Sequence, residues 1–324
     1  MAESSIAYAA AGLRRLAPRK WNLGDGIAHS VTLLFAASIL FLTALVVYEL
    51  VTASHLSRAK FGWSFLFTRT WNPVTGQFGA LPFLYGTVVT SLVGLMIASP
   101  LGLGSAIFLS TLAPPRLSSA LTYVVELLAA VPSVIYGLLA LFVLTPLLRN
   151  PVEPWLKASF GFLPLFQGPA YGVGFLAAGI VLAIMVVPFI TSVSRESLLA
   201  VPRDQQEAAL ALGATRWEAV WSVVLPHARS GIAGSLFLAL ARTLAETMAV
   251  TMVIGNDPKI RASLFAPGYT IAAVIANEFT EAITNLHVSS LIELGLVLFL
   301  ITLIMNGFGQ LLVLVTTQTG STHA

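Results

Sequence analysis

Six long runs of mainly apolar residues, at about 27–50, 81–111, 119–147, 170–194, 231–255 and 289–316, limit what this chain can fold into more than any other feature. Each reaches the roughly 20 residues that a helix needs to cross a hydrocarbon core ~30 Å thick. Runs of that length read as transmembrane helices. The expected fold is therefore an all-α integral membrane domain of six spans over 27–316, between an N-terminal tail (1–26) and a C-terminal tail (317–324). Only 10% of the residues are charged, against about 25% in soluble domains, which excludes a soluble globular enzyme.

Six spans put both termini on one side, and the basic residues indicate which. Nine of them (Arg14, Arg15, Arg19, Lys20, Arg116, Arg195, Arg203, Arg216 and Arg229) fall in the tail and loops assigned to the cytoplasm. Seven (Arg58, Lys60, Arg69, Arg149, Lys157, Lys259 and Arg261) fall in the opposite loops. The four ahead of the first span weigh most, so the termini are expected in the cytoplasm. The same placement accounts for the net charge of +3 without nucleic acid. Ala9–Ala11 has the small residues of a leader cleavage site, but the basic cluster follows it instead of preceding it. The first run is thus expected to be a retained span.

Catalysis by this chain is not expected. There is no cysteine, and the aspartates (Asp25, Asp204, Asp257) all lie outside the runs, so no intramembrane aspartyl dyad can form. No histidine is followed by glutamate, and none of the four lysines follows a glycine, which removes the zinc-protease helix and the phosphate-cradling P-loop. The five histidines (His29, His55, His227, His287, His323) show no metal-ligand spacing. Neither a metal nor a cofactor is expected in this chain. Pro100 with Gly102 and Gly104, and Pro132 with Gly137, predict kinks within the second and third runs.

Ionisable residues inside a membrane are costly, by ~2.5–3.5 kcal/mol on insertion scales, and are functional candidates for that reason. Four are taken as candidates: Glu126, Arg242, Glu246 and Glu293. Glu126 is expected to reach the interface or to pair with Arg116, and Glu293 to snorkel outward. Arg242 and Glu246 are four residues apart, which on one helix places them on the same face, one turn apart. Two uses remain open for this pair. It is either a stabilising ion pair between helices, or a guanidinium that offers its planar fork of donors to a passing oxyanion while Glu246 holds or gates it.

The loop 195–230 is the charged one. Pro202 opens a helix of about ten residues, and Gly213 closes it. Thr215 with Glu218 then has the form of a capping box, and Trp217, Val220, Trp221 and Val224 make an amphipathic stripe before Pro226. Two short helices of this kind are not stable by propensity alone, so the apolar stripe must be buried against the domain, lipid or a partner.

Residues 207–226, EAALALGATRWEAVWSVVLP, resemble the signature of the permease subunits of ABC importers, with Glu207, Ala208, Ala209, Gly213, Leu225 and Pro226 at the matching positions. Val223 stands where isoleucine is commonest. The stretches LPFLYGTVVTSL (81–92), ELLAAVPSVIYGLLALF (126–142), ARTLAETMAVTMVIGN (241–256) and APGYTIAAVIANEF (266–279) look like the PstC-type permeases of phosphate importers. That resemblance implies a type I importer architecture in a bacterial inner membrane and a coupling helix at 207–226 seated in a groove of an ATPase. It further implies Arg242 and Glu246 on the substrate pathway. The implied partners are a PstA-like permease, a PstB-like ATPase dimer that binds ATP and Mg, and a PstS-like phosphate-binding protein. Permeases for molybdate or sulfate, and a passive anion channel, are the rival expectations.

Overall fold

A computed structural model describes residues 23–318, with side chains over 26–311. The Ala9–Ala11 motif and the cluster Arg14, Arg15, Arg19 and Lys20 lie outside the described residues. Among the described residues the elements are helical, apart from two isolated β-bridges, Asn72 to Gln77 and Gly255 to Gly268. Six helices are long and apolar enough to cross a membrane. These spans are, in order, Gly26–Ala53, Leu81–Leu112, Ser133–Phe160, Phe175–Leu199, Arg216–Ala245 and Asn285–Leu311.

The chain divides into two compact units after Glu49. The first unit consists of most of the first span, with a mean hydropathy of 2.5 in its most apolar window. Its side chains are apolar around the whole circumference, as suits a helix immersed in hydrocarbon.

The second unit is built around the fourth span, whose Leu182, Val186 and Ile190 are fully buried. It packs along the second span at glycines. A Cβ on Gly94 would stand 2.9 Å from the Leu182 Cβ, and one on Gly102 would stand 2.8 Å from the Ile190 Cβ. Lipid offers helices no hydrophobic drive to associate, so close backbone approach and interhelical hydrogen bonds must hold them together. Both occur here: Thr191 Oγ1 donates to the Gly102 carbonyl at 3.2 Å, and the Ser194 and Ser235 hydroxyls join the fourth span to the fifth at 2.8 Å.

Prolines decide where the helices break. The third run was expected to be one span over 119–147, but it is two helices. Helix α1 (Pro115–Ala129) ends where Ala130 turns back on the Glu126 carbonyl, and the third span starts anew at Ser133. Pro132 has no N–H to donate and pushes Val131 out of the helical region, so a break replaces the expected kink. At Pro100 the helix instead runs through the proline.

The fourth span likewise runs through Pro188, whereas Pro146, Pro154 and Pro226 are each preceded by a π-helical turn. These turns are Ala140–Leu144 before Pro146, Leu148–Val152 before Pro154, and Val220–Val224 before Pro226. In each, the residue just ahead of the proline donates its N–H five residues back: Thr145 to Ala140, Glu153 to Leu148, and Leu225 to Val220. The wider turn re-registers the ladder ahead of the ring that would otherwise clash with the carbonyl four residues earlier.

The chain between the first two spans, which carries no motif, is pinned to the start of the sixth. Phe65, Phe78 and Phe83 are buried with Leu291 and Leu294. Trp71 Nε1 donates to Glu278 Oε2 at 2.8 Å, and His287 Nε2 approaches the same oxygen at 3.1 Å while its ring stacks on Phe78.

Gly102→Ala is expected to destabilise the subunit by about 1–3 kcal/mol by forcing the second and fourth spans apart. Thermal unfolding in detergent measures this, and an unchanged transition would mean that the contact carries no packing energy.

Candidate functional site

The charged hairpin begins at helix α2 (Arg203–Ala211), which follows Pro202 and has no buried residue. Glu207 and Ala208 are exposed and Ala209 is half-buried. Gly213 takes the left-handed conformation expected of a helix end, with φ +94°. The capping box forms as well: the Thr215 N–H donates to Glu218 Oε2 at 2.7 Å, and the Glu218 N–H donates to Thr215 Oγ1 at 3.3 Å.

The second helix of the hairpin departs from expectation. It does not stop at Pro226 but continues as the fifth span to Ala245, because the π-turn at Val220–Val224 carries the ladder past the proline. The expected stripe is divided between two environments. Val220 and Val224 are buried with Ala106, Ile107 and Leu198 at the ends of the second and fourth spans. Trp217 and Trp221 stay 51% and 58% exposed, ring edge against ring face. The hairpin is therefore rooted in the membrane domain at one end and unpartnered at the other, with Leu212 91% exposed near its tip. Leu225 is half-buried and Pro226 exposed at the root.

At the far end of the fifth span lie Arg242 and Glu246. They were expected one turn apart on a single helix, but the helix ends at Ala245 and Glu246 has an extended ψ of 125°. A short helix, α3 (Met248–Val253), restarts the chain, and Glu246 Oε1 accepts the Ala249 N–H in its first turn at 3.3 Å. A carboxylate that caps an orphan donor at a helix start is stabilised there, and it is drawn away from the arginine. No ion pair joins the two side chains. Arg242 is exposed in the isolated subunit, and its guanidinium carbon stands 5.8 Å from the centre of the Phe189 ring on the fourth span.

The remaining intramembrane charges also differ from expectation. Glu293 does not snorkel. It is 6% exposed, with the Ser57 hydroxyl beside it, and its Oε2 is buried without a hydrogen-bond partner. Its two-carbon stem is too short to reach past the short helix His55–Phe61, which covers that end of the sixth span. Glu126 is exposed and unpaired with Arg116, from which a helix rise separates it by ~15 Å. Glu153, assigned to a loop by the sequence, is buried in the third span and accepts the Gly172 N–H at 3.0 Å. The shift of that span beyond Pro132 is the signal that would have found it. Among the described residues no cluster of histidine and carboxylates suits a metal ion. Hydroxyls near the expected pathway mostly bond their own helices: Thr90 to Gly86, Ser99 to Leu95, and Thr243 to Leu240.

Between the last two spans, Asp257 pairs with Arg261 at 3.0 Å, and the Tyr85 hydroxyl donates to the Arg261 carbonyl at 2.8 Å. Burial pushes the Tyr269 phenol up to about 12, so it stays neutral as it accepts from Asn277.

Residues 98–314 match the model of the binding-protein-dependent transport system inner membrane component family. The chain belongs to this family of transport permeases. It is 46% identical over 308 residues to the phosphate transport system permease protein PstC of Mesorhizobium japonicum, covering 94% of each chain. It is also 49% identical to the PstC of Xylella fastidiosa strain Temecula1, over 78% of this chain and 79% of that one. Among solved structures, a bacterial alginate ABC transporter chain aligns with a TM-score of 0.57 at 14% identity, covering 90% of this chain and 96% of that one. A chain of the inward-facing MetNI methionine ABC transporter aligns with a TM-score of 0.53 at 17% identity, covering 72% and 94%. At such identities these two establish the fold: the chain has the type I ABC importer permease architecture and is a multi-pass membrane protein.

Thr215→Ala removes the cap and is expected to cost about 1 kcal/mol. Amide exchange over Arg216–Ala219 should then quicken about fivefold in hydrogen-exchange mass spectrometry, and unaltered exchange would show that the box does not hold this turn.

Proposed function

We propose that this chain is a permease subunit of an ATP-driven importer of inorganic phosphate in a bacterial inner membrane. The observation that carries this is the 46% identity to a phosphate transport system permease over 94% of both chains. The unpartnered α2 and the exposed tryptophans of the hairpin support a docking role. Their apolar surface needs a groove, and an ATPase supplies one by the helix-in-groove mode. In this proposal Glu207, Ala208, Ala209 and Gly213 form the docking tip, and Leu225 and Pro226 form its root. The ATPase, a PstB-like dimer, binds ATP and Mg. A PstA-like permease completes the passage, and a PstS-like binding protein delivers phosphate from outside.

Arg242 is the group that meets the anion. A guanidinium offers in-plane donors that match two phosphate oxygens at once, and a single one in a low-dielectric passage binds weakly enough to let the ion leave. Glu246 acts by holding the break after Ala245 and not by neutralising Arg242.

ATP-dependent uptake by the reconstituted importer tests the proposal, with phosphate, arsenate, sulfate and molybdate compared. Phosphate should be taken up in preference to sulfate and molybdate, and only with ATP. Uptake of sulfate in place of phosphate would overturn the substrate, and uptake without ATP would make the chain a channel. Arg242→Ala should abolish uptake while the complex still assembles, and near wild-type uptake would remove Arg242 from the pathway. Crosslinks from Ala208 or Ala209 should reach the ATPase; if they never do, the docking role falls.

A further inference from the structure

We infer that Phe189 is a positioning residue for Arg242, one that holds the guanidinium by its face and so leaves its N–H donors free for the transported anion. This rests on the proposal that Arg242 lies on the phosphate pathway.

An arginine in a membrane domain is normally neutralised by a carboxylate, which occupies the same in-plane donors that an oxyanion would use. Here the nearest carboxylate in sequence is turned away. The helix break at Glu246 sends its Oε1 to the Ala249 N–H, and no ion pair forms with Arg242. What meets the cation instead is an aromatic ring. The Arg242 guanidinium carbon is 5.8 Å from the Phe189 ring centre, inside the ~6 Å within which a ring quadrupole attracts a cation.

The two contacts differ in what they leave available. A salt bridge occupies the guanidinium donors with hydrogen bonds to carboxylate oxygens, whereas the electrostatic attraction of an aromatic face supplies no acceptor oxygen that competes for them. Phe189 therefore restrains the side chain without competing with phosphate. Its place on the fourth span, the buried centre of the unit, gives Arg242 a fixed support. Glu246 and Phe189 thus play complementary parts, since the carboxylate stays off the arginine while the ring holds it.

The test is phosphate uptake by the reconstituted importer carrying fluorinated phenylalanines at position 189. These keep the ring's shape while draining negative potential from its face. KM for phosphate should rise step by step with fluorination while the amount of assembled complex stays constant. Phe189→Leu should raise KM by about three- to thirty-fold, and Phe189→Tyr should restore it. A KM indifferent to fluorination, in a background where Arg242→Ala stops uptake, would overturn the inference and leave the Arg242 pathway standing. Uptake that survives Arg242→Ala would remove the pathway itself, and the role of Phe189 with it.

Discussion

A backbone donor withheld by a proline cannot be replaced by water in hydrocarbon, and where the helices do not simply run through, as they do at Pro100 and Pro188, the arrangement of this domain follows from how the gap is closed. At Pro132 the chain abandons the helix and restarts one residue later, which displaces the third span toward the C-terminus. At Pro146, Pro154 and Pro226 it keeps the helix and widens the preceding turn by one residue. The two solutions have opposite mechanical consequences. A break uncouples the helices on either side, whereas a π-turn keeps them joined and rotates one relative to the other by the angle of a single residue, about 100°.

The hairpin is an instance of the joined case. Val220 and Val224 form one row of the helix and pack into the domain, whereas Trp217 and Trp221 form the neighbouring row and stay outside. One helix thereby has an anchored side and a free apolar side at nearly the same level. A surface of this kind is costly to leave in water, so it is consistent with a partner that covers it.

What the sequence disclosed was whatever depends on near neighbours. Six runs gave six spans, Pro202 and Gly213 bounded α2 within a residue or two, and the Thr215–Glu218 box formed as its spacing required. What it concealed depends on partners distant in the chain. A proline in a long apolar run is compatible with a kink, a break or a π-turn, and the packing of other spans selects among them. The Glu246 break leaves no proline or glycine to mark it. Glu293 reads as an outward-reaching carboxylate until Ser57, 236 positions earlier in the chain, is seen beside it. Loop 51–80 had no motif because its anchor, Trp71 on Glu278 and His287, joins single residues from segments some 200 positions apart.

Arg242 and the docking hairpin are two ends of one rod. From Arg216 to Ala245 the helix has no break, and at a rise of 1.5 Å per residue the 26 steps from Arg216 to Arg242 span ~39 Å. Under the proposed function, a push on the hairpin tip enters this rod directly. Val220 and Val224 clamp it against the second and fourth spans at the root of the hairpin, and the Ser194–Ser235 bond ties it to the fourth span further along. The rod ends three residues beyond Arg242, and there the break at Glu246 isolates it from α3. On that reading, motion delivered at the hairpin reaches Arg242 and its Phe189 contact just before the helix ends. Under the proposed function, a continuous helix with one exposed end, one discontinuous end and a guanidinium near the discontinuity is a form that links a distant ATPase to an anion.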